Sequence, residues 1–140
     1  MNVKKISLIL VLIVIAVCTL SACALFGGDD PVRADGLPAL DKRIYWSPGG
    51  EFVTNVKDNP KMLARTVVSL MFSKDESADL ETNSAAIRNI ILQILMEKTE
   101  EQLLADDVIT SLETEMTEKL SDYLNMDEFL RVYISDFVMQ

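Results

Sequence analysis

An uncharged run from Ile6 to Phe26 is the feature that most constrains this chain. In a helix, a run of this length rises about 31 Å, which matches the hydrocarbon core of a membrane. A buried helix of a soluble domain seldom stays this long without a polar face. Two lysines precede the run and two aspartates follow it. This asymmetry predicts a single-pass membrane protein with a cytoplasmic N-terminus and a domain outside.

The same region also has the parts of a secretory signal: a basic start, an apolar stretch and a small-residue cleavage site. The segment Leu20–Cys23 reads Leu-Ser-Ala-Cys and is similar to a bacterial lipobox, in which the cysteine is lipidated. Residues 1–28 are therefore either an uncut signal-anchor helix or a lipoprotein signal that ends at Cys23. Both alternatives predict a domain on the outer face of the cytoplasmic (inner) membrane.

Composition excludes several classes of function. The 140 residues include 22 acidic and 13 basic side chains, for a net charge of −9. Such a surface repels phosphate backbones, so we expect no nucleic-acid partner. The chain has no histidine, and both cysteines, Cys18 and Cys23, lie in the uncharged run. The usual general base and thiolate metal ligands are thus missing beyond it, and we predict a protein that is not an enzyme, without catalytic residues, metal or cofactor.

Acidic pairs are the remaining candidates for reactive groups. The pairs are Asp29/Asp30, Glu100/Glu101, Asp106/Asp107 and Asp127/Glu128. No glycine-spaced calcium loop and no partner base accompanies them, so we interpret the first as a solvated tether and the others as helix-end or turn residues. Asp106 and Asp107 precede a helical pattern, where acidic side chains can accept from free helix amides.

Residues 29–43 contain glycine, proline and acidic residues without a period and predict a tether, and residues 44–140 form the domain. Residues 44–57 indicate extended structure around the Ser47–Gly50 turn. Tyr45 and Trp46 lie at its start and belong either to the edge of the core or to a partner contact. Residues 62–73 are apolar on both faces, as in a central strand.

Helical periodicity begins further along the chain. Ile87, Ile90, Ile91, Ile94 and Leu95 form one stripe of a helix, and a second stripe runs through residues 109–124 up to Asn125. Thr99–Gln102 has the spacing of a capping box and predicts a new helical turn. Residues 129–140 alternate as a strand, with a bulge or bend at Ser135 and Asp136. The prediction is a small α+β domain with about three strands and two helices.

Four segments of this domain resemble the FliL family of flagellar basal-body proteins. They are Phe52–Val56, Arg65–Phe72, the helix and cap from Ala86 through Leu104, and Val132–Gln140, which reads Val-Tyr-Ile-Ser-Asp-Phe-Val-Met-Gln. The resemblance extends to the overall plan of a basic start, one apolar run, an acidic tether and a domain of about 100 residues.

This resemblance implies a role rather than a reaction. Proteins similar to FliL are single-pass membrane proteins whose outer domain resembles the stomatin/prohibitin module. They act at the flagellar motor as a homo-oligomeric ring around the stator units, where they affect stator engagement, torque, swimming and swarming. Two departures from the family are the short tether and the lipobox-like segment that ends at Cys23. The competing hypothesis is a surface lipoprotein that serves as a general binding module.

Overall fold

The computed structural model describes residues 36–140, and Leu37–Gln140 form a compact unit. The predicted anchor at residues 1–28, with Cys23, and the tether residues 29–35 lie outside the described residues. No helix within the described part is both long and apolar enough to cross a membrane. The elements are β1 (Ile44–Trp46), β2 (Phe52–Asn55), β3 (Leu63–Phe72), α1 (Ser77–Met96), α2 (Glu100–Leu103), α3 (Val108–Leu124) and β4 (Phe129–Met139), preceded by a 3-10 turn at Leu40–Lys42.

The predicted α+β class is confirmed, but the described sheet has four strands instead of about three. The predicted central strand is β3, which pairs antiparallel with β4 along one edge. Both β1 and β2 pair with its other edge, at Trp46↔Leu70 and Phe52↔Thr66. Residues 47–51 therefore lie opposite residues 67–69. The Ser-Pro-Gly-Gly turn is an outward loop within one continuous edge, and it does not fold the chain back into a hairpin.

Because side chains alternate along a strand, the sheet has two faces. We call the face that packs against the helices the covered face and the opposite one the open face. The even-numbered residues of β3 from Ala64 to Phe72 are buried, as are their neighbours Phe52 and Val132 in the adjacent strands. They pack in one core with the buried stripes of the two long helices, which consist of Leu80, Ile87, Ile91, Ile94 and Leu95 in α1 and Leu112, Met116 and Leu120 in α3. The predicted stripe of α1 is thereby confirmed. The stripe of α3 is confirmed at its centre, whereas Ile109 and Tyr123, which were expected in it, are 37% and 44% exposed.

Local signals set the ends of the helices. The capping box at Thr99 is confirmed, because the Thr99 hydroxyl accepts from the Gln102 amide N–H and the Gln102 side chain accepts from the Thr99 N–H. Asn125 ends α3 with a left-handed backbone (φ 50°), a conformation that asparagine tolerates better than most residues. The expectation for Asp107 is wrong: it occupies the N-cap of α3, but its side chain accepts no capping hydrogen bond.

The bulge in β4 is also confirmed. The pairing shifts between Val67↔Asp136 and Val68↔Ile134, so Ser135 is the extra residue. Helix α3 covers the outer edge of β4 before this bulge. Its Thr117 hydroxyl accepts from Val132 N–H at 2.9 Å and its Glu113 carboxylate accepts from Ile134 N–H at 2.9 Å. Side chains of a helix thus occupy strand amides that would otherwise be free to pair with another strand.

Candidate functional site

An aromatic and basic cluster lies on the open face of the sheet. Tyr45, Met71 and Arg131 are register neighbours on three adjacent strands, so their side chains share this face. The Tyr45 and Tyr133 rings lie 5.9 Å apart and tilted, and the Arg131 guanidinium lies 4.9 Å from the Tyr133 ring centroid. Met71 is fully buried among them. We call Tyr45, Tyr133 and Arg131 the aromatic cluster.

The structure gives the two predicted partner-contact residues different surroundings. Tyr45 is 54% exposed, whereas Trp46 is in the core with its indole N–H donating to Glu81 at 3.3 Å. Adjacent residues of a strand point to opposite faces, which accounts for the difference. Trp46 presents little surface to a partner, so of the two predicted alternatives it belongs to the edge of the core. Contact with a partner through Tyr45 stays a prediction.

Charged groups on the open face are paired within the domain. Arg65 lies 3.2 Å from a Glu51 oxygen and 3.8 Å from an Asp136 oxygen, and Arg131 lies 3.4 Å from Glu113. The two exposed pairs of Arg65 contribute little to stability, about 0–1 kcal/mol each, whereas Glu113 in the third pair is largely buried. Their effect is to fix where the side chains lie, so the face presents mixed charge beside the aromatic rings.

Three acidic residues elsewhere, Asp58, Glu100 and Asp75, accept hydrogen bonds in turns. The Asp58 carboxylate accepts from the Glu100 N–H at 2.8 Å, and the Glu100 carboxylate accepts from the Asn59 side chain at 2.9 Å. At the start of α1, hydrogen bonds from the side chain and backbone of Ser77 lower the pKa of Asp75. No three potential metal ligands come together among the described residues. These carboxylates have the geometry of caps and loop ties rather than of paired acid–base groups.

Sequence reasoning missed the role of Arg88. Its guanidinium Nη1 donates to the Pro48 carbonyl at 3.1 Å and to the Gly49 carbonyl at 3.0 Å, and the group lies 4.4 Å from the Phe52 ring centroid. Gly49 has φ +92°, a conformation that favours glycine. One arginine of α1 therefore holds the outward loop between β1 and β2. No local pattern joins a helix residue to carbonyls about 40 positions earlier.

We expect Arg88→Ala to lower the free energy of unfolding by about 2 kcal/mol, because it removes two charge-assisted hydrogen bonds and a cation–π contact. Chemical denaturation followed by circular dichroism measures this change. The matched control is Asn89→Ala on the exposed side of the same helix, with an expected change within about 0.5 kcal/mol. Equal unfolding midpoints for the two variants would contradict the role given to Arg88.

Comparison with known families decides the classification. The family described as "Flagellar basal body-associated protein FliL" matches residues 45–140, which is more than half of the chain. The chain belongs to the FliL family. The resemblance proposed from the sequence is thereby confirmed. The comparison with individual curated proteins finds no significant match.

The FliL match spans the whole sheet and all three helices from Tyr45 onward. The four segments that carry the resemblance include β2, most of β3, the second half of α1 with α2, and most of β4. Arg88 lies in the third segment, so the arginine that holds the outward loop is part of the family-like helix. Membership indicates association with the flagellar basal body.

Proposed function

We propose that this chain is a non-enzymatic accessory protein of the flagellar motor that modulates stator engagement and torque and supports swimming or swarming. The observation that carries the proposal is the FliL match over residues 45–140. The open sheet face supports it physically, because Tyr45 is 54% exposed there and tyrosine is enriched in contacts between proteins. The partners in this proposal are stator and basal-body proteins.

Assembly is the second part of the proposal. A ring of identical subunits requires two different surfaces on each subunit that meet head to tail and close. The domain has more than one surface of this kind, since the open face of the sheet and the outer side of the helices are different surfaces. We propose a homo-oligomeric ring of stomatin/prohibitin-like domains around the stator.

Membrane attachment is the third part, and it is supported by the uncharged run from Ile6 to Phe26. The chain is proposed to cross the inner membrane once, with its N-terminus in the cytoplasm and the FliL domain outside. The mass of the mature N-terminus separates the two forms of anchor. An intact start indicates an uncut helix, and a diacylated N-terminal cysteine indicates processing at Cys23.

Deletion of the gene is expected to shrink the swimming or swarming halo while filaments still assemble, because stators then engage the motor less effectively. Halo diameter in soft agar and filament counts by electron microscopy measure this effect. Complementation with the full chain is expected to restore the halo. In-membrane cross-linking is expected to give stator adducts and ring-sized oligomers. An unchanged halo together with no stator adduct would overturn the proposal.

A further inference from the structure

A groove opens between β2 and helix α1, away from the aromatic cluster. Its volume is about 470 Å³. One wall is the β2 strand and the loop that follows it, and the other is the end of α1. The described residues that line it are Val53, Thr54, Asn55, Val56, Lys57, Pro60, Leu92 and Met96. Met96 is 59% exposed, so apolar surface faces solvent from the helix wall. The Val53 side chain, 51% exposed, lies on the open face of the sheet beside Arg65.

The main chain of β2 presents a free edge to this groove. Leu63 N–H donates to Gln140 and Gln140 N–H donates to Leu63, so the main chain of Leu63 faces β4. In an antiparallel ladder this direction alternates, and the even residues of β3 therefore bond to β2. Val56 N–H donates to Met62 in agreement with this alternation. The N–H and C=O groups of Val53 and Asn55 consequently point outward, where no other described strand pairs with β2.

Both ends of the groove are held by hydrogen bonds. Lys57 N–H donates to the Lys98 carbonyl at 3.1 Å, and Asp58 and Asn59 both bond to Glu100. At the other end, Arg88 holds the loop that enters β2. The strand edge and the helix wall are thus fixed relative to each other, which reduces the ordering cost of binding a ligand between them.

The groove is lined by a buried threonine and by residues of mainly neutral character. Thr54 is 6% exposed, and within the described part of the chain its Oγ1 has no hydrogen-bond partner. An unpaired buried hydroxyl costs free energy, but this one is closed off from solvent and adds no contact for a ligand at the strand edge. On an acidic chain, the described residues that line the groove include no aspartate or glutamate and one lysine, Lys57.

We propose that this groove binds an extended peptide segment of a partner protein, which adds as a strand to the free edge of β2. Strand addition supplies main-chain hydrogen bonds to Val53 and Asn55, and alternate side chains of the peptide reach Leu92 and Met96. The segment is apolar at these alternate positions and carries an acidic residue toward Lys57. This site does not depend on the motor role proposed above.

Fluorescence anisotropy with the detergent-purified full chain tests strand addition. The probe is the fluorescein-labelled peptide Thr-Val-Thr-Val-Thr-Val-Glu. Two derivatives carry backbone N-methyl groups on either the threonines or the valines, so each loses the N–H donors of one edge and keeps its carbonyl groups and side chains. We expect one derivative to bind at least about tenfold more weakly and the other to bind like the parent. Equal binding by all three peptides would overturn the proposal.

Variants of the chain locate the site. Val53→Pro removes an outward N–H without removing a bond to β3, so it should weaken peptide binding about tenfold. The control is Val53→Thr, which keeps the N–H. The two variants should have similar unfolding midpoints. Met96→Glu should also weaken binding, and Leu104→Glu, at a similarly exposed leucine on another surface, should not. A Lys-ended peptide should bind several-fold more weakly than the Glu-ended one.

Two outcomes would overturn the proposal at this stage. The first is unchanged peptide binding by Val53→Pro. The second is self-association of the full chain that is abolished by Val53→Pro and is not inhibited by the peptide. The groove would then bind a second copy of this chain instead of a partner's peptide. Loss of peptide binding by Val53→Pro with normal motility would leave the groove established as a site that the motor role does not require. The motor role is tested by the gene deletion, so the two proposals fail separately.

Discussion

Replacing Ile91 with aspartate is expected to leave the domain of residues 37–140 unfolded at neutral pH. Ile91 is fully buried on the face of α1 that packs against the sheet. The substitution removes a buried side chain worth about 1.5–3 kcal/mol and places a carboxylate in an apolar site at a further cost of several kcal/mol. The sum is comparable to the entire stability of a typical domain, about 5–15 kcal/mol.

Far-UV circular dichroism and thermal melting of the full chain measure this loss. The matched control is Asn89→Asp, which introduces the same side chain two residues earlier, at an exposed position of the same helix. This control should change the free energy of unfolding by no more than about 0.5 kcal/mol. A cooperative melting transition retained by Ile91→Asp would show that α1 is not packed as described.

Helices and caps were predictable because their signals are local. The stripe from Ile87 to Leu95 repeats at the helical period, and the Thr99 capping box spans four residues. Residues 62–73 were predictable as a central strand because apolar residues occupy both faces. The open face of β3 is less apolar than expected, however, because Arg65 and Ser69 lie on it. Met71 is fully buried on this face, although it is not a member of the core cluster that includes the helices.

Pairing across the sheet was not predictable from the same signals. The residues Ser47–Gly50 have the composition of a turn whether the chain reverses or continues along one edge, so the register of β1 and β2 on β3 required the structure. Strand alternation alone could have separated exposed Tyr45 from buried Trp46. The contact of Arg88 with the outward loop and the groove beside β2 depend on tertiary packing, which no local pattern encodes.

Ending the chain at Ser135 is expected to abolish the cooperative folding of the domain. This truncation removes the residues that pair with Leu63–Val67, the half of β3 that carries β2 on its other edge. It also removes Phe137 and Met139, which pack against the core, and the Asp136 carbonyl that accepts from the Thr66 hydroxyl at 2.9 Å. Lost hydrogen bonds at about 1 kcal/mol each and lost apolar burial together give about 5 kcal/mol or more.

The truncated chain should melt without a cooperative transition and be cleaved rapidly by a nonspecific protease, since β3 would lose its partner along one half. Asp136→Asn is the matched control, because it keeps every main-chain bond and weakens only an exposed pair with Arg65. That variant should change stability by less than about 1 kcal/mol. If the truncated chain melted at the same temperature as the full chain, the strand after the bulge would be a peripheral extension. The position of edge strand β2 would then be fixed by α1 and the loops bonded to it, and would not require β3 to be paired along both of its edges.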